Sequence, residues 1–289
     1  MAERRGWLAA AALLVLLALA CLGAPLLAAW RGLDPDAVDL FNRLAPPGGD
    51  HPLGTDELGR DLLLRLLEGG RISLAVGLLG ALGASLIGMA VGIAAGFAGG
   101  RTDALLMRLT DAVIALPLLP LLIVLAAVDL AKLGLPEALV GSTAGSVWRI
   151  VVLVALFGWT TVARLVRASV LSLKRREFVL AARALGAGPL RIALWHLLPN
   201  ALGPVAIATT LTVGHAILTE SVLSFLGLGV QPPLPSWGNM LSGAQDLLFE
   251  APRLALWPGA LIFLSVAAVN IAGDGLRRGL DPRSGLSRY

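Results

Sequence analysis

The chain has 289 residues, 57% of them hydrophobic and only 15% charged, with a net charge of +4. Soluble domains carry about a quarter charged residues, so this composition excludes an ordinary soluble enzyme or adaptor and specifies an integral membrane protein. A single cysteine, Cys21, excludes a disulfide framework.

An apolar helix needs about 20 residues to cross about 30 Å of hydrocarbon. Six stretches qualify, at about residues 7–30, 72–98, 112–131, 148–168, 201–229 and 254–273. They are continuously apolar instead of alternating, which argues for helices and against a barrel. The expected fold is all-α: a polytopic membrane domain of six transmembrane helices. With a cytoplasmic N-terminus, six crossings put fifteen of the 23 Lys and Arg inside, Arg4, Arg5, Arg101, Arg183, Arg191, Arg277 and Arg278 among them. Most acids, from Asp34 to Glu68 and again at Asp246 and Glu250, fall on the other side. This positive-inside pattern accounts for the basic balance without any nucleic acid.

In chain order, residues 1–30 begin with Arg4 and Arg5 before an apolar run, as a signal peptide does. That run exceeds the usual ~7–15 residues of a signal, so it reads as a retained first helix. Residues 31–71 form a polar extracytoplasmic segment. Within it HPLGTDELGRDLLLRLLEGG turns into an amphipathic helix, with Leu58, Leu62 and Leu66 at helical spacing. A helix on the membrane surface before the second span is expected there. Residues 72–276 hold the remaining five spans. In the second span Gly80, Ala84, Gly88, Gly92 and Gly96 recur every fourth position, a spine on which another helix backbone can pack closely in lipid. Pro117 and Pro120 interrupt the third span. Residues 277–289 form a cytoplasmic tail.

Two polar features stand out. Glu177 to Asn200, EFVLAARALGAGPLRIALWHLLPN, is an island between apolar runs, and Arg183 and Arg191 would each cost about 2.5–3.5 kcal/mol at a bilayer centre. It is a solvated loop or a surface for another protein. Ala182 and Gly186, four apart, would share a helical face and leave a shallow spot for a partner, with Gly188 and Pro189 ending the helix. Glu220, inside the fifth span, is either a functional ionisable group or one satisfied by neighbours such as Thr219 and Ser221.

Catalytic patterns are missing. Lys132 and Lys174 are followed by Leu133 and Arg175, so no phosphate-binding loop exists. His51, His196 and His215 have no metal-ligand spacing, and no Ser-His-Asp arrangement is legible. No catalytic residue, metal or cofactor is assigned to this chain, and its energy is expected to come from a partner.

Ala181-Ala182, Gly186 four residues later, and Leu198-Pro199 together resemble the EAA loop of bacterial ABC importer permeases. HPLGTDELGRDLLLRLLEGGRISL at 51–74 and ESVLSFLGLGVQPPLPSWGNML at 220–241 are similar to segments of the dipeptide, oligopeptide and nickel permeases, specifically the second of their two permease subunits. The resemblance implies a type I importer fold in the bacterial inner membrane, both termini cytoplasmic. Its EAA loop would be a coupling helix, here Glu177, Ala181, Ala182, Arg183, Gly186 and Pro199, docked on an ATPase. It further implies a homologous permease partner, two ATPase subunits that bind ATP and Mg, and an extracytoplasmic solute-binding protein. The family Glu is Leu180 here, with Glu177 three residues earlier, and His196 stands at the family Ile position. Glu220 is then a candidate for the translocation path or outer gate. Nickel, metal chelates or glutathione are alternatives to peptides as solute. An ion-coupled secondary carrier is the alternative of another class, but it would usually place several ionisable groups at mid-membrane.

Overall fold

A computed structural model describes residues 2–128, 132, 136 and 142–280, with side chains except those of 2–5, 279 and 280. The end of the third expected span, at 129–131, and the tail beyond Leu280 lie outside the described residues.

The elements are α1 (Ala2–Leu22), α2 (Ala24–Arg31), α3 (Leu62–Ala98), α4 (Gly100–Ala115), α5 (Leu118–Ala127), α6 (Thr143–Leu173), α7 (Glu177–Ala184), α8 (Pro189–Phe225), α9 (Trp237–Ala244) and α10 (Arg253–Leu280). Four helices, α3, α6, α8 and α10, are each long and apolar enough to cross a membrane. Two bent pairs, α1 with α2 and α4 with α5, bring the count to six if each pair is one span.

Both bends follow from proline. Pro25 has no N–H to donate to the carbonyl four residues back, and the chain turns by 47° between α1 and α2. The expected straight first span is therefore two helices. Leu116, the residue before Pro117, is held extended at ψ 137°, and α4 meets α5 at 84°. Pro117 makes the interruption expected from the sequence, whereas Pro120 is accommodated inside α5.

The separate surface helix expected before the second span does not form. Asp61 caps a single 37-residue helix, its Oδ1 accepting the Leu64 N–H at 2.9 Å. At about 1.5 Å per residue α3 is about 55 Å long, longer than the ~30 Å hydrocarbon core, so one continuous helix holds both the span and the leucines before it. Gly69 and Gly70 do not break it, because both lie against neighbours: a Cβ on Gly70 would come within 2.8 Å of the Trp237 ring.

The glycine spine packs against α6. Gly80 faces Val154, Ala84 faces Gly158, and Gly88, Gly92 and Gly96 face Val162, Val166 and Val170. Each partner lies 74 residues on (80 to 154, 96 to 170), so the helices run parallel, with a valine seated over each of these glycines and Gly158 over Ala84. A Cβ on Gly92 would lie 2.6 Å from the Ala163 carbonyl oxygen, so the close approach requires glycine. Ser85 and Thr209 hydroxyls, 2.6 Å apart, tie α3 to α8, and Gly273 of α10 packs on Thr210.

The segment before α3 folds over that helix's start. Asp56 accepts the N–H groups of Leu58 and Arg60 at 2.9 Å and pairs with Arg60 Nε at 2.7 Å. Asp61 Oδ2 receives Arg31 at 3.2 Å and lies 2.9 Å from His51 Nδ1. Asp36 pairs with the buried Arg65. Asp56 and Asp61 of GTDELGRD are thus structural anchors of a compact cap.

Candidate functional site

The far ends of α3 and α6 carry the basic residues. Lys174 Nζ donates to the Gly96 carbonyl at 2.7 Å, closing the end of α6 onto α3. Arg167 pairs with Asp103 of α4 at 2.7 Å, and Arg164 with Asp111. Across this end lies α7. Glu177 occupies its first turn and is exposed.

One face of α7 is anchored to its own chain. Val179 and Ala182 are buried, Val179 in a cluster with Val166, Val170, Ile192 and Leu197. The opposite surface is open: Leu180 is 50% and Leu185 88% exposed, with Phe178, Ala181 and Arg183 also exposed. A hollow of about 380 Å³ beside α7 is lined by Phe97, Lys174, Arg175, Leu180 and Arg183. An apolar floor with a cationic rim suits an acidic, partly apolar protein surface.

Gly186 and Ala182 do not share the shallow face expected of them. The helix stops before Gly186, whose φ of +81° places it in the left-handed region. Its N–H donates to the Arg183 carbonyl and the Ala187 N–H to the Ala182 carbonyl, each at 3.0 Å. This is a Schellman stop with glycine at its required position. The stop thus comes at Gly186, and Gly188 with Pro189 instead opens the next helix. No atom lies within 4 Å of where a Gly186 Cβ would stand, so conformation and not space demands glycine.

Pro199 lies exposed in the early part of α8, one residue beyond a six-residue π-helical turn, Ile192–Leu197. A proline at 199 cannot donate to residue 195, and the widened turn absorbs the loss: the Leu198 N–H reaches five residues back to Ala193. Asn200 Nδ2 donates to the His196 carbonyl at 2.7 Å. The Leu-Pro pair therefore shapes the joint between α7 and the long span. His196 is half-buried there.

Glu220 lies at the other end of α8, with 0% of its surface exposed. Ser73 donates to Oε2 at 2.8 Å and Ser224 to Oε1 at 2.7 Å. Glu220 therefore stands inside the wall of this subunit, with its carboxyl group held between α3 and α8. Sequence reasoning offered Thr219 and Ser221 as its partners; Ser221 is among the serines around the carboxyl group, whereas Ser73, 147 positions away, was missed. Ser224, one turn on from Glu220, was legible from i, i+4 spacing.

A bundle of long apolar helices that carries a short half-exposed helix across its cationic end is that of a polytopic membrane protein with one helix face left open. The chain belongs to the family described as binding-protein-dependent transport system inner membrane component, which it matches over residues 67–285. It is similar to the oligopeptide transport system permease protein OppC of Bacillus subtilis, 40% identical over 271 residues that cover 94% of this chain and 83% of that protein. The dipeptide transport system permease protein DppC of Alkalihalophilus pseudofirmus is 41% identical over 242 residues, 84% of this chain and 75% of its own. The nickel transport system permease protein NikC of Escherichia coli is 38% identical over 253 residues, 88% and 86% of the two chains.

Proposed function

We propose that this chain is a non-catalytic permease subunit of an ATP-driven importer of short peptides in a bacterial inner membrane. Its α7 docks on an ATPase subunit at the cytoplasmic face. The observation that carries the reading is the division of α7 into an anchored face, Val179 and Ala182, and an open one, Phe178, Leu180, Ala181, Arg183 and Leu185. A helix fixed on one side and exposed on the other can pass a push from a partner into α8 through the Pro199 joint. Arg183 and Glu177 supply polar contacts, and the Glu missing at Leu180 is replaced by charge at Glu177.

The rest of the assembly follows. A homologous permease subunit completes the path across the lipid, two ATPase subunits bind ATP and Mg, and an extracytoplasmic binding protein delivers the solute. Both termini are cytoplasmic. Relatives named as oligopeptide and dipeptide permeases support peptide as the solute. The relative named as a nickel permease supports nickel or a nickel chelate as the second reading.

The test is the full assembly, with its genomically adjacent partners, in proteoliposomes. ATP-dependent accumulation of labelled di- to pentapeptides supports the peptide reading. Accumulation of labelled nickel alone replaces it with the second, and uptake that follows an ion gradient without ATP overturns both.

A further inference from the structure

At the end of the bundle opposite α7, the last turns of α8 meet the first turns of α3 and the short helix α9. Glu220 stands at that meeting point. Ser73 of α3 gives its hydroxyl proton to Glu220 Oε2, and the same Ser73 oxygen accepts the backbone N–H of Trp237, the first residue of α9, at 3.2 Å. Ser224 gives its proton to Oε1 and accepts the N–H of Val230 at 3.0 Å. Each hydroxyl has one proton. With both aimed at the carboxyl group, the serine lone pairs face the chain at Val230, midway along the loop between α8 and α9, and at Trp237, where the loop ends.

The loop has little freedom to sit elsewhere. A Cβ on Gly238 would come 2.5 Å from the Ser221 carbonyl oxygen, and Gly229 has no room for a Cβ against Ser224. Asn239 Nδ2 donates to the Val230 and Leu234 carbonyls at 3.2 and 2.9 Å, and the Trp237 indole N–H to the Leu66 carbonyl at 2.9 Å. The outer side of the loop is open: Gln231 and Pro232 are exposed, and with Asp56 and Arg60 of the cap they wall a cavity of about 330 Å³.

We propose that Glu220 is a positioning residue: by orienting Ser73 and Ser224 it holds the loop at 226–236 in the shape that receives the solute-loaded binding protein. This rests on the importer reading, which puts that end of the bundle on the extracytoplasmic side. The Ser221 and Ser236 hydroxyls also lie beside the carboxyl group, and its two oxygens orient Ser73 and Ser224 at once. Glutamine keeps the size but offers one acceptor, so it releases one serine; alanine releases both.

The experiment measures ATP hydrolysis by the whole importer in proteoliposomes against the concentration of loaded binding protein. Glu220→Ala is expected to raise the half-saturating concentration about tenfold, with the basal rate unchanged and the maximal rate within about twofold. Glu220→Gln should fall between alanine and wild type. Should Glu220→Ala fail to accumulate, the Ser73→Ala/Ser224→Ala double variant keeps the acid and is expected to give the same shift. An unchanged half-saturating concentration in these variants, or a fall in maximal rate alone, overturns the assignment of Glu220. A wild-type assembly that does not respond to the binding protein overturns the importer reading instead.

Discussion

Gly186 separates two physical accounts of the coupling helix. If bulk were the difficulty, substitutions at 186 would grade by size. The structure grades them by backbone conformation, because Gly186 has φ of +81° and open space where a Cβ would stand. A non-glycine L-residue in the left-handed region costs about 1–2 kcal/mol, with β-branched residues worst and asparagine tolerated best. A loss of 1–2 kcal/mol changes the ratio of correctly stopped to misplaced α7 about 5- to 30-fold. The Schellman bonds from Gly186 and Ala187 are the only ones at stake, so membrane insertion should be unaffected. The assay is peptide uptake per ATP hydrolysed in proteoliposomes for Gly186→Ala, Gly186→Asn and Gly186→Val. Valine should uncouple most, and asparagine, though larger than alanine, should couple at least as well. An order that follows size, alanine above asparagine, refutes the conformational argument; normal coupling in the valine variant refutes the importance of the stop itself.

Three further substitutions probe the scaffold. Gly92→Ala places a methyl 2.6 Å from a backbone oxygen of α6, and overpacking of about 1–3 kcal/mol should lower the melting temperature of the purified assembly; an unchanged melting temperature removes the seam from the account. Asp61→Ala takes away the cap of α3 and the partner of Arg31. Loss of about 3 kcal/mol should speed amide exchange at Leu64 and expose residues 32–61 to added protease, and unaltered exchange would count against it. Trp237→Ala should cost about 3–5 kcal/mol by emptying a fully buried site. Trp237→Phe, which loses the bond to the Leu66 carbonyl and part of the ring volume, should cost about 1–3 kcal/mol, less than alanine; equal melting temperatures for the two would contradict the packing argument.

The spans were legible because membrane helices announce themselves by length and continuous hydrophobicity, a local property. The glycine spine was legible for the same reason, and α6 valines meet it in the same four-residue register. Breaks were harder: Pro117 was read, but Gly23-Ala24-Pro25 passed as part of one helix, because proline is common in membrane spans and only the neighbours decide whether it bends them. The amphipathic leucines before the second span suggested a separate surface helix. Those among them that face inward, Leu62 and Leu66, instead pack with Trp237 and Cys21, contacts far apart in sequence. The same limit hid Ser73 from Glu220. At the island, composition revealed an exposed helix, whereas the duty of each small residue depended on where the helix stops, and Gly186 decides that through one dihedral angle.

Cross-linking from α7 tests the docking of this helix on an ATPase. In a Cys21→Ser background, Ala181→Cys and Leu185→Cys lie on the open face and Val179→Cys on the buried one. With a short bifunctional thiol reagent in membranes containing the whole assembly, positions 181 and 185 should join to the ATPase subunit and 179 should not. Failure of both exposed positions to reach the ATPase, or capture of the ATPase by Gln231→Cys at the opposite end, would contradict the assignment of α7 as the joint.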